Sequence, residues 1–199
     1  MTQRPDLNAL SKDVFEANKA KGFHDVEHSN ETLLMLVITE LSEAVEADRK
    51  GKRGKRANLE SFCLLNASSK KRTGNPDYFN KVAFEGHIKD TVEDELADAV
   101  IRLLDLTGLR SVKINLREIN CALSADVSIG ESFSNSIYYI TRSVCRIIDP
   151  SNTQLETIIR DAIEELIGLC DNLNIDLWQH VSLKLKYNQT RPMKHGKNY

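Results

Sequence analysis

The sequence predicts an all-α fold, an antiparallel helical bundle, on three observations. Apolar residues recur at three- and four-residue spacing through most of the chain, cap and stop residues punctuate those stretches, and no alternating strand pattern of any length competes. With 199 residues, 41% of them hydrophobic, the chain has enough apolar material for a core and is read as a single domain over residues 1–199.

Pro5 and Asp6 open a first helix that runs to about Lys21, with Leu7, Leu10, Val14, Phe15 and Ala17 as its apolar side and Gly22 as its stop. The polar linker GFHDVEHSNE follows. His24, Asp25 and His28 invite a metal reading, since two histidines four apart on a helix can share an ion, but no further ligand is near and Gly22 interrupts the helical register, so a substrate-facing loop is the preferred reading. Ser29 or Asn30 caps a second helix whose stripe is Leu34, Val37, Ile38, Leu41, Ala44 and Val45, bordered by Glu40 and Glu43. The run RKGKRGKR, from Arg49 to Arg56, holds six basic residues, readable as a solvated loop or as a device that steers a polyanionic substrate. A short helix, LESFCLLN, and a polar turn, SSKKRTGNPD, then form a lid-like insertion.

After a short helix from about Tyr78 to Gly86 comes the most acidic segment, DTVEDELADAVIRLLDL, with six carboxylates between Asp90 and Leu106. It is read as a helix from about Lys89 to Thr107 that Gly108 ends. Further helices are expected from Glu131 to Ile148, stopped by Asp149 and Pro150, from Ser151 or Asn152 to a break at Asn174, and over IDLWQHVSLKLKYN before a polar tail.

Two acid pairs carry the chemistry. Glu40 and Glu43, like Glu95 and Asp98, stand three residues apart, about 300° of helical rotation, so each pair shares nearly one face. Two such helices packed together gather four oxygen donors whose mutual repulsion a hard divalent cation such as Mg²⁺ relieves. A di-iron carboxylate bundle is disfavoured, because such sites use Glu-x-x-His and no such motif occurs.

Composition narrows the remaining classes. A net charge of −2 disfavours a duplex nucleic acid partner. No apolar run approaches the roughly 20 residues of a membrane span, and MTQRPDLNAL lacks a signal-peptide core, so the expectation is a cytoplasmic protein with no membrane partner. Cys63, Cys121, Cys145 and Cys170 lie far apart without CxxC spacing and are read as buried thiols.

An internal likeness adds one more expectation. YYITRSVCRI at Tyr138 echoes LVITELSEAV at Leu36, and DAIEELIGLCDNL at Asp161 echoes ELADAVIRLLDL at Glu95. Glu40 and Glu43 then align with Arg142 and Cys145, and Glu95 and Asp98 with Asp161 and Glu164. This reads either as a degenerate tandem copy, with a metal-site half at 1–110 and a second half at 130–199, or as the likeness any two amphipathic helices share.

At Glu40-Leu-Ser-Glu43 and Glu95-Leu-Ala-Asp98 the chain resembles the MazG-like nucleotide pyrophosphohydrolases, the all-α NTP pyrophosphatase superfamily, marked by an ExxE pair followed by an ExxD pair. The entry segment GFHDVEHSNETLLMLVITELSEAVEADRKG and the K-x-x-x-N tail at Lys184 and Asn188, followed by Arg191 and the His195-Gly196-Lys197 tail, extend the likeness over 13–108 and 175–199. It departs from the compact pattern in the long interval between Glu43 and Glu95 and in the helices from 131 to 173.

The resemblance implies a bundle of that type and Mg²⁺-dependent (or Mn²⁺-dependent) hydrolysis of a nucleoside triphosphate substrate to the monophosphate and pyrophosphate. It implies Glu40, Glu43, Glu95 and Asp98 as metal ligands, with Glu43 also the catalytic residue that orients water. Lys184 and Arg191 would offset phosphate charge, Asn188 would bond substrate, and Phe23 and His24 would border the base. A homodimer is an assembly it allows. The alternative is a non-catalytic helical module that binds a partner or a nucleotide.

Overall fold

Capping side chains set most of the helix starts. The computed structural model describes residues 2–54, 56–117, 132–146 and 152–196, with the backbone alone at 56, 152, 153, 195 and 196. Asp6 accepts from the N–H groups of Asn8 and Ala9 to open α1, Leu7–Ala20. Ser29 accepts from the Thr32 N–H to open α2, Asn30–Arg49. The insertion holds α3, Arg56–Thr73, and α4, Lys81–His87. Thr91 caps α5, Val92–Arg110. Three helices complete the bundle: α6, Phe133–Val144; α7, Asn152–Asn172; and α8, Leu177–Gln189, capped by Asp176. No strand occurs among the described residues, so the predicted all-α bundle stands. No helix is long and apolar enough to cross a membrane.

The centre of the bundle is α5. Val92, Leu96, Ala97, Ala99, Val100, Leu103, Leu104 and Leu106 are all buried, which is the mark of a helix enclosed on nearly every side. Helices α1, α2, α7 and α8 pack around it, and α6 packs against both α2 and α7. The helix runs past Gly108, the expected stop, to Arg110, and left-handed Ser111 (φ 53°) ends it. Gly108 serves close packing instead: a Cβ there would stand 2.4 Å from the Ser11 carbonyl oxygen and 2.6 Å from the Phe15 Cβ. The break at Asn174 is real, with φ at 56°.

Two other expectations change. The polar turn SSKKRTGNPD is helical through Thr73, and its Ser69 Oγ accepts from the Asn80 amide at 2.9 Å, beside the bond from the Asn80 N–H to Asn66 Oδ1 at 2.8 Å. The lid-like insertion is thus a helical hairpin, seated through its own cluster of Phe62, Phe84 and Ile88 against Tyr187 of α8. Cys170 is buried, and burial pushes its thiol up, but Cys63 and Cys145 are exposed; Cys121 lies outside the described residues. So do Ile147, Ile148, Asp149 and Pro150, where the α6 stop was expected.

Candidate metal centre

Helices α2 and α5 form the most extensive contact in the bundle, and their acids meet across it. One carboxylate oxygen from each of Glu40, Glu95 and Asp98 lies within 4.8 Å of the others. An octahedral Mg²⁺ with bonds of about 2.1 Å places opposite ligands about 4.2 Å apart, so small side-chain rotations bring these oxygens onto one hard cation. The donor set fits: all oxygen, no sulfur or nitrogen, buried on two of three members.

Glu43 stands beside this group. It is exposed, and it lines a neighbouring groove with Glu46, Lys50, Lys52, Asp90 and Glu95. The offset follows from geometry, since three residues on a helix fall about 60° short of a full turn and carry Glu43 toward solvent. Burial pushes Glu95 up to about 8, opposed by Lys184 and reinforced by Asp94, Asp98 and Glu43. Glu40 is raised too, by burial and then by Asp98, against the pull of Arg102.

Two side-chain cations hold the cluster. The Lys184 ammonium lies 2.6 Å from Asp94 Oδ2 and 2.8 Å from Asp98 Oδ2, with its side chain 5% exposed. Burial works against its charge, but Asp98 and Asp94 outweigh that and push the ammonium up. Burial raises Asp94 to about 6, and its Oδ1 has no partner among the described residues. Arg102, one turn beyond Asp98, donates from Nε to Glu40 Oε1 at 3.0 Å. Arg102 was not singled out from the sequence, and Asp94 was read there only as one of the acids around the ligand pair. Their signal was there: Asp94, Asp98 and Arg102 are spaced by four and stack along one face of α5.

Above the cluster a narrow cleft opens to solvent. Glu40 and Asp98 form its floor with Ile101 and Arg102, and Phe23, Asn188 and Arg191 reach it from the α1–α2 loop and the α8 end, beside Asn18. Asn188 Oδ1 is a buried acceptor without a partner among the described residues. The Arg191 guanidinium lies 5.7 Å from the Tyr187 ring centre. His24 does not line this cleft. Its Nε2 pairs with Asp105 Oδ1 at 2.9 Å, its ring lies 5.0 Å from that of Phe15, and it fastens the loop to α5. Lys184 belongs to the carboxylates beneath the cleft rather than to its wall.

Much of the basic run is paired with α2. Arg49 and Lys50 reach Glu46 at 3.0 Å, and Arg53 reaches Asp48 and lies 4.7 Å from the Phe133 ring centre. The loop is pinned to the start of α5, where the Val92 N–H donates to the Lys52 carbonyl at 3.0 Å and Gly54 N–H to Glu93. Lys52 is left facing the groove that Glu43 and Glu95 share.

The acids that align with Glu95 and Asp98 meet a guanidinium. Arg117 donates to Asp161 Oδ1 at 2.9 Å and, from Nε, to Glu164 Oε2 at 2.8 Å, and Arg160 adds a contact to Asp161 at 3.1 Å. Arg142, aligned with Glu40, lies over the Tyr139 ring instead, 5.2 Å from its centre. No protein-family model, curated protein or solved structure matches the chain.

Proposed function

We propose that the protein is a Mg²⁺-dependent nucleoside triphosphate pyrophosphohydrolase, releasing pyrophosphate and leaving the monophosphate. The observation that carries this reading is the convergence of Glu40, Glu95 and Asp98, two of which, Glu40 and Asp98, line a cleft shared with Arg102, Arg191, Asn188 and Phe23. Hydrolysis at a phosphoanhydride needs charge relief on the phosphate oxygens and a positioned water, and little covalent chemistry from the protein. A divalent ion held by Glu40, Glu95 and Asp98 would supply that charge relief and acidify a bound water.

The chain's own residues do the rest. Glu43, outside the three-oxygen group but near enough to raise Glu95, is free to orient the attacking water. That water attacks the α-phosphorus, the bond to the β-phosphate bridging oxygen breaks, and the proton passes to the carboxylate. Arg191 offsets phosphate charge, Asn188 offers its free acceptor, and Phe23 gives the base an apolar surface. Lys184 keeps Asp98 in place from below, a role distinct from phosphate contact.

The test is a panel of ribo- and deoxynucleoside triphosphates with Mg²⁺ or Mn²⁺, read by pyrophosphate release. The expected result is release that Glu40→Gln and Glu95→Gln each lower by two orders of magnitude or more. Release no greater than that of Glu40→Gln across the panel would leave the helical-module alternative in possession.

A further inference from the structure

The cluster carries two built-in cations, and they differ in one respect that matters. Lys184 is enclosed between two carboxylates with its side chain 5% exposed, and it is absent from the cleft lining. Arg102 is 20% exposed, touches Glu40 from the cleft side, and shares the cleft with Asp98, Asn188 and Arg191. A guanidinium on Glu40 and a divalent ion on the same carboxylate are like charges competing for one anion. The planar fork of arginine is also the side chain best matched to phosphate oxygens.

We propose that Arg102 is an exchangeable phosphate ligand stored on Glu40: cation binding at Glu40, Glu95 and Asp98 releases it, and the released guanidinium takes the polyphosphate entering the cleft. This rests on the reading above and extends it to the order of binding. Its root on α5, one turn past Asp98, keeps the guanidinium within the cleft when it leaves Glu40, so the exchange is a side-chain rotation about a fixed helix. Arg191, which lines the same cleft, adds a second guanidinium group for the entering phosphates. Metal and polyphosphate therefore favour one another, and by linkage each raises the affinity for the other by the same factor.

The experiment uses the full chain, chelator-treated, with Mn²⁺ binding followed by electron paramagnetic resonance of the free ion and by calorimetry. Binding of preformed Mn²⁺–tripolyphosphate is measured separately, which makes the readout independent of base preference and turnover. Arg102→Met should bind Mn²⁺ alone more tightly than wild type, on the order of fivefold, and bind Mn²⁺–tripolyphosphate at least about tenfold more weakly. Arg102→Lys, which keeps the charge and loses the fork, should restore wild-type Mn²⁺ affinity and only part of the tripolyphosphate affinity.

Unchanged or weaker Mn²⁺ binding by a folded Arg102→Met, or undiminished tripolyphosphate binding, overturns the exchange. Glu40→Gln separates the levels. If it binds Mn²⁺ as well as wild type, the metal site itself falls. If it loses Mn²⁺ while Arg102→Met matches wild type, the arginine proposal alone falls.

Discussion

Lys184→Met removes the cation that two carboxylates share. The ammonium lies 2.6 Å from Asp94 and 2.8 Å from Asp98, and the Asp94 side chain is 1% exposed. Water cannot replace the lost partner at that depth. Breaking a buried pair from one side costs about 3–5 kcal/mol, because the remaining charge stays without compensation. For a chain of this size about 1 kcal/mol moves Tm by roughly 2–4 °C, so the expected fall at pH 7.5 is about 6–20 °C. Asp94 already sits at about 6 with the lysine beside it, and it rises further without it. Below pH 6 the abandoned carboxyl takes up a proton, so the deficit shrinks at pH 5. Lys184→Met/Asp94→Asn should recover part of the loss at pH 7.5, since the orphaned charge is gone. Circular dichroism melting of chelator-treated protein at the two pH values checks all three statements. A Tm for Lys184→Met within 2 °C of wild type at pH 7.5, or an equal deficit at pH 5, refutes the reasoning.

Three other perturbations have defined outcomes. Glu95 and Asp94 have folded pKa values above the ordinary carboxylate range, so their stabilising protons are present in acid and lost as pH rises through about 6 and then about 8. Chelator-treated wild type should accordingly lose Tm relative to Glu95→Gln between pH 5.5 and 8.5, and Mn²⁺ should raise wild-type Tm more at pH 8.5; a pH-independent Mn²⁺ effect contradicts this. Gly108→Ala forces the α1 backbone off α5 and should cost at least about 1–3 kcal/mol in urea denaturation, whereas a neutral result would mean the two helices separate freely. Asp98→Asn should reduce pyrophosphate release at least about a hundredfold. Asp161→Asn, whose carboxylate meets Arg117 and Arg160, should leave it within about threefold, and equal losses would refute the division between the two halves.

Helical period and caps made the bundle legible, because α1, α2 and α7 each carry one strong apolar stripe and caps or stops that owe nothing to distant residues. Helix α3 was legible only over LESFCLLN; beyond it, Ser69 looks like part of a turn until the Asn80 amide meets it across the hairpin. Gly108 looked like a terminator for a related reason: the backbone of α1 that it accommodates is nearly a hundred residues away. At the candidate site, three-residue spacing found Glu40, Glu95 and Asp98 but counted Glu43 equally, and only the face that α2 turns toward α5 separates them. Lys184 was legible as a residue of interest, yet its partners were not. A lysine 86 residues beyond Asp98 can face a ligand or a carboxylate, and the register of α8 against α5 decides which. His24 drew notice for its chemistry, and Asp105 spends that chemistry on anchoring a loop.

Helix α8 joins matters that lie far apart in the chain. Within four consecutive residues from Lys184 to Tyr187 it carries the ammonium under Asp98 and a ring stacked on Phe84 at 4.6 Å, whose hydroxyl donates to Glu85 at 2.9 Å; Asn188 comes next, in the cleft. The helix is thus a stiff shaft with the insertion bolted to one side and the acid cluster to the other. A repacking of Phe62, Phe79 or Phe84 turns that shaft and shifts the ammonium and the amide together. On the proposed reading, substitutions in the α3–α4 hairpin therefore reach the cleft through α8.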